Sequence, residues 1–200
     1  KYAKELADGS WVNLTPTGKP SELTKGQWVQ VRTDNFKKWF GDWENDPANS
    51  SKIVNENTGE PQVLFHGTKY DFNYFMNTDG LFGDGIYLTD KYNQFAELYS
   101  SGDGGNIIPL FASIKNPEEY DQSAIDESIG NEIINQEQES SNNSNKRLRT
   151  DGLIITNPRA IEDTKKAKES ERYIVAFNSS QVKSAIGNIG TFGVGDYDIR

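Results

Sequence analysis

The chain has 200 residues, a formal net charge of −9 and 34% hydrophobic residues, a length that gives one compact domain with at most a small appendage. It has no cysteine and a single histidine, which excludes disulfides, thiol catalysis and any cysteine-held or multi-histidine metal site, while its acidity argues against general nucleic-acid binding. No apolar run approaches the roughly 18 residues needed to cross a bilayer, so a soluble chain is expected.

The start at Lys1, without Met or an apolar signal stretch, reads as a domain excised from a longer protein. Mean hydropathy is low, at −0.76, but 10 Phe, 9 Tyr and 4 Trp supply enough buried area for a core. Residues 1–32 read as irregular, with a short strand at Trp28-Val29-Gln30-Val31. Asp34 is placed to N-cap a helix in which Phe36, Trp39, Phe40 and Trp43 recur at helical spacing. Asp46-Pro47 and Asn49-Ser50-Ser51 break it. Residues 1–48 are thus expected to form an extension whose aromatic helix packs on a domain of residues 49–200.

Asn57-Thr58-Gly59-Glu60-Pro61 is a turn, and Gln62-Val63-Leu64-Phe65-His66 a buried strand. Phe72, Tyr74 and Phe75 fall in a loop; Gly80, Gly83 and Gly85 lead into a short strand, Ile86-Tyr87-Leu88-Thr89. Asp90 is placed to cap a helix running through Tyr99. Residues 107–114 form a strand interrupted by Pro109, which marks an edge or a bulge, and Asn116-Pro117 closes it. Residues 121–150 are acidic and rich in Gln, Asn and Ser, the composition of a mobile polar insertion. Strands follow at Gly152-Leu153-Ile154-Ile155-Thr156 and Tyr173-Ile174-Val175-Ala176-Phe177-Asn178, separated by a charged loop or hairpin tip. The basic clusters, Lys146-Arg147-Leu148-Arg149 and Arg159 with Lys165, Lys166 and Lys168, read as solvated loops. Strands outnumber helices without βαβ alternation, so the expected class is α+β: a mixed or mainly antiparallel β core with small flanking helices.

From residues alone, His66 has two readings, a satisfied core imidazole or a functional group. No Ser or Cys partner and no Gly-x-Ser-x-Gly elbow accompany it. The glycines at 80, 83 and 85 precede a strand, so they make neither a dinucleotide fingerprint nor a P-loop.

Two segments taken together add a resemblance. Leu64-Phe65-His66-Gly67-Thr68, then Gly80-Leu81-Phe82-Gly83-Asp84-Gly85-Ile86-Tyr87-Leu88-Thr89-Asp90 and a helix ending in Tyr99, resemble the His-Tyr-Glu ADP-ribosyltransferases of the diphtheria-toxin and poly-ADP-ribose-polymerase class. Glu171-Arg172-Tyr173-Ile174-Val175 is similar to that class's closing strand. Phe36-Lys37-Lys38-Trp39-Phe40-Gly41-Asp42-Trp43, the Asn-Thr-Gly-Glu-Pro turn and the segment from Gln181 to Asn188 look like the ADP-ribosyltransferase domains of phage and mobile-element polyvalent proteins. The likeness covers about residues 22–192.

The resemblance implies the split β core of that class over residues 49–200 and NAD as substrate, with no metal. It implies that His66 bonds the adenosine ribose 2′-hydroxyl, that Gly67, with Thr68 beside it, meets the nicotinamide carboxamide, and that Tyr87 and Tyr99 sandwich the nicotinamide ring. Gly is required at 67 because a Cβ would block the approach. Cleavage develops oxocarbenium charge, which a carboxylate stabilises; Glu171 is the candidate. Here the chain departs from the pattern, because alignment on Tyr173-Ile174-Val175 puts Arg172 at the usual Glu position, with Gln181 and Glu169 as alternative polar groups. The implied activity is mono-ADP-ribosylation of a macromolecular acceptor, protein or nucleic acid, by a bacterial, phage or mobile-element effector. The alternatives are an NAD glycohydrolase on the same fold and a non-catalytic NAD-binding or interaction module.

Overall fold

The computed structural model describes residues 14–70, 72–75, 78–80, 83–92, 105–121, 150–156, 172–193 and 195–200. Two short helices come first. Helix α1, Lys25–Gln30, replaces the strand expected at residues 28–31. The reason lies just upstream: the Thr24 side chain accepts from the Gln27 backbone amide, and the Gln27 side chain accepts from Thr24 N at 3.0 Å. This reciprocal capping box satisfies two orphan amides and starts the helix. Helix α2, Asp34–Phe40, lies where the aromatic periodicity puts it, but Thr33 rather than Asp34 is its N-cap. The helix stops at Gly41, whose φ of 108° only glycine adopts readily. Trp43 therefore lies past the helix, yet it is still buried.

The strands are β1 (Leu64–Thr68), β2 (Thr78–Gly80), β3 (Gly83–Thr89), β4 (Asn106–Ala112), β5 (Pro117–Asp121), β6 (Gly152–Thr156), β7 (Arg172–Ala176) and β8 (Val182–Ser184). They form one mixed sheet in the order β5-β6-β7-β3-β1-β4-β8, with β2 paired to β3. Only β5 and β6 run parallel among the described pairs. The fold is α+β, with a split, mainly antiparallel sheet and small helices, as the sequence predicts. Three strands are additions: the short β8, Val-Lys-Ser, and two others. β2 carries Thr-Asp-Gly and β5 carries Pro-Glu-Glu-Tyr-Asp, neither with the apolar alternation that marks a strand. β5 is an edge strand with Glu118 and Glu119 exposed, and charge on an edge blocks further pairing.

Pro109 sits one residue beyond the stretch of β4 that β8 covers, Leu110 to Ala112. On that side the Pro109 carbonyl accepts from Ala185 N at 2.9 Å and the β8 pairing then ends, which accommodates a residue without an N–H. Most of the expected helix from Asp90 to Tyr99, and residues 122–149 of the polar insertion, lie outside the described residues.

Two apolar clusters flank the middle of the sheet. Leu64, Phe75, Ile86, Leu88, Ile154, Ile174 and Ile199 share one; Leu153, Ile155, Tyr173 and Val175 form the other, with Tyr87 packed on it. A third, built from Trp28, Phe36, Trp39, Phe40 and Trp43, reaches the sheet through Phe111. Trp39 Nε1 donates to Ser180 O at 2.9 Å and Ser113 Oγ to Trp39 O at 2.8 Å, so the aromatic helix is bonded as well as packed to the strands. A buried cation fastens the same region. The Arg32 guanidinium lies 4.0 Å from the Trp28 ring and 4.9 Å from that of Trp43, and it pairs with Glu60 at 2.8 Å and Glu44 at 3.1 Å.

Candidate active site

The site is organised by a parting of strands. β1 matches β4 over five consecutive residue pairs, Leu64↔Leu110 to Thr68↔Asn106. On its other side β1 meets β3 at one pair, Phe65↔Thr89. Just past β3 the Asp90 amide donates to Arg172 O at 3.3 Å, so even-numbered residues of β3 bond toward β7 and odd-numbered ones toward β1. The next pair on the β1 ladder would be Gly67 with Tyr87, and it does not form.

His66 takes its place. Its Nδ1 lies 2.8 Å from Tyr87 O. A carbonyl only accepts, so Nδ1 carries the proton and a neutral ring keeps its lone pair on Nε2. The ring sits against Phe75, centroids 4.8 Å apart at 90°, and Phe72, 6.1 Å away. This wall removes water from the imidazole. Burial pushes its pKa below the ordinary 6.5, outweighing the bond to the Tyr87 carbonyl, which acts the other way. The ring is therefore neutral at pH 7, a hydrogen-bond acceptor at Nε2.

Strand alternation sends His66 to the Phe75 face and Tyr87 to the face of Leu153, Ile155 and Val175. Gly67 shares the Tyr87 face across the parted strands. Gly85, two residues before Tyr87, is set by β7: an added Cβ would lie 2.4 Å from Val175 Cγ1. This glycine lets β3 and β7 approach closely beside the parting. Thr68 is buried, and its hydroxyl oxygen accepts from Tyr70 N at 3.1 Å, closing the turn after β1.

Arg172, which the resemblance aligns with the third signature position, is salt-bridged. Arg172 opens β7; its backbone N–H and Nε donate to the two Asp90 carboxylate oxygens, each at 3.0 Å, and Nη1 meets Glu56 at 3.3 Å. Asp90 thus binds Arg172, a role that reading it as a helix cap does not anticipate. Gln181 is remote from this cluster in its bonding: its Nε2 donates to Ser113 O and Asp151 O at 3.2 and 2.7 Å. Glu171, Glu169 and Tyr99 lie outside the described residues. The phenylalanine wall is invisible to sequence reasoning, which sees Phe72 and Phe75 only as loop residues. No group of three His, Cys, Asp or Glu suited to a metal occurs among the described residues. None of the described helices is long and apolar enough to cross a membrane.

A family model described as "ADP-Ribosyltransferase in polyvalent proteins" matches residues 56–192. The match runs from the turn before β1 to the segment after β8 and takes in His66, Tyr87 and the Arg172 strand. The chain belongs to that ADP-ribosyltransferase family. No curated protein matches it.

Proposed function

We propose that the protein cleaves nicotinamide from NAD and transfers the ADP-ribose, as a single unit, to a macromolecular acceptor. The observation that carries this reading is the His66 bond across the parted strands. It fixes a neutral imidazole with Nε2 as acceptor, suited to a ribose hydroxyl, and it takes the Tyr87 carbonyl out of the β1 ladder. Gly67 then has no β3 partner in the ladder, and its backbone amide and carbonyl suit the two halves of a carboxamide. Tyr87, half-buried on the same face, offers a ring for the flat nicotinamide, with Tyr99 assigned to its other side and Thr68 to the rim.

In the reaction the bond from the ribose anomeric carbon to the nicotinamide nitrogen breaks, and both electrons leave with neutral nicotinamide. A lone pair of the acceptor forms the new bond to the anomeric carbon, and the proton on that acceptor atom is released to water. Glu171 is assigned to the oxocarbenium charge between these events. The context assigned to the chain is a phage or mobile-element effector, consistent with its family.

Incubation with NAD carrying a labelled adenylate, with and without cell lysate, tests the reading. Nicotinamide release with label on macromolecules is expected, and both should vanish in Tyr87→Ala and Glu171→Ala. Free ADP-ribose alone would make the protein a glycohydrolase. A second reading, an NAD-binding module without transfer, is favoured by Arg172, which puts a guanidinium at the start of β7 where the family's carboxylate is expected. It predicts NAD binding that His66→Gln weakens, with no nicotinamide released at any enzyme concentration.

A further inference from the structure

The segment 195–200 lies against the loop that carries the phenylalanine wall. Ile199 N donates to Asn73 O at 2.8 Å, and Ser184 N donates to Ile199 O at 2.6 Å. The Ile199 side chain is 3% exposed and belongs to the same cluster as Phe75. One backbone strap therefore ties β8 on one side to residues 72–75 on the other, and those residues back His66.

The strap is closed by an ammonium. Lys183, in the middle of β8, is fully buried. Its Nζ donates to Asp196 O at 2.9 Å and to Asp198 O, and lies 3.4 Å from an Asp196 carboxylate oxygen. An ammonium has three N–H groups, and the strap provides three acceptors. Lifting the strap would part the ammonium from all three acceptors at once, in addition to breaking the strap's own hydrogen bonds. Burial of Lys183 and closure of the strap are thus coupled.

We propose that Lys183 is a positioning residue that, through residues 195–200, clamps the Phe72–Phe75 loop onto His66 and holds its ring on the Tyr87 carbonyl. The proposal needs only the geometry around His66. Its consequence for ligand affinity rests on the NAD reading above.

Because the chain has one histidine, the test has one signal. The bonded Nδ1–H should give a single low-field proton resonance, and chemical modification of the ring should be slow. In Lys183→Met the resonance is expected to disappear through exchange and the modification rate to rise about tenfold. Ile199→Ala, which trims the strap without orphaning a charge, should do the same more weakly. Val31→Ala, remote in the Trp28–Phe40 cluster, controls for general loss of stability and should leave the signal intact.

A folded Lys183→Met with an unchanged resonance would overturn the proposal, as would the same loss in Val31→Ala. If Lys183→Met does not fold, an unchanged signal in Ile199→Ala overturns it. Loss of the signal in a chain whose parent shows no affinity for NAD would uphold the clamp and refute the NAD reading.

Discussion

Arg32→Met asks how strongly the amino-terminal helices are held to the sheet. The side chains of Arg32 and Glu60 are 2% and 1% exposed and meet at 2.8 Å. Glu60 also accepts from Ser21 Oγ at 2.5 Å, and Arg32 donates to Trp28 O at 3.1 Å. Methionine keeps most of the stem between Trp28 and Trp43 but removes the charge, leaving the Glu60 carboxylate buried with Ser21. Breaking a buried pair from one side costs about 3–5 kcal/mol. Glu44 adds little to the loss, because Lys37 still holds it at 2.6 Å. Adding Glu60→Gln removes the orphaned charge and keeps an oxygen for Ser21, so the double variant should recover about 1–3 kcal/mol of coupling. Urea unfolding followed by tryptophan fluorescence measures both, since two of the four indoles flank the guanidinium. A single-variant cost below about 1 kcal/mol, the value of an exposed pair, would refute the argument. So would strictly additive effects of the two substitutions.

Three further outcomes follow from the structure. His66 should titrate below 6.5 by NMR, because burial disfavours the imidazolium. The unfolded chain then binds the proton first, so stability falls as pH drops from the ordinary value toward the depressed one, and levels off below it; His66→Gln should lack that slope. Gly85→Ala drives a Cβ into Val175 Cγ1 and should cost about 1–3 kcal/mol; Val175→Ala in the same chain should recover much of it, and equal losses in both would count against the close approach. Gly41→Ala forces a φ of 108° on a side chain and sets its Cβ 2.4 Å from Ser50 Cα; a strain of about 1–3 kcal/mol should lower Tm by several degrees, and an unchanged Tm would contradict the backbone geometry.

The parts of the fold that bury continuous apolar runs are legible in the sequence. Gly152-Leu153-Ile154-Ile155-Thr156 is a strand over the expected residues, and β1, β3 and β7 fall within a few residues of expectation. What escaped depends on partners. Helix α1 is read as a strand because Trp28-Val29-Gln30-Val31 looks like one, while the deciding feature is the Thr24–Gln27 exchange of hydrogen bonds. β5 shows no pattern of its own and becomes a strand through β6. His66 and Tyr87 stand out as motif residues, but their meeting through a ring nitrogen and a backbone oxygen depends on register. Lys183 reads as an ordinary charged residue; the acceptors that bury it are carbonyls thirteen and fifteen positions away.

The His66 bond also acts as a wedge. Two antiparallel strands already joined at Phe65 and Thr89 are in register to zip one step further, with Gly67 opposite Tyr87. The imidazole prevents this by satisfying the Tyr87 oxygen from the side. A substitute lacking any side-chain donor is expected to hand that oxygen back to the Gly67 amide and so to close the seam. His66→Ala should then extend the β1–β3 pairing, beyond deleting one contact, whereas glutamine, with an amide donor of its own, should keep the strands parted. The difference between these two variants measures how much of the parting of β1 from β3 is created by the one histidine.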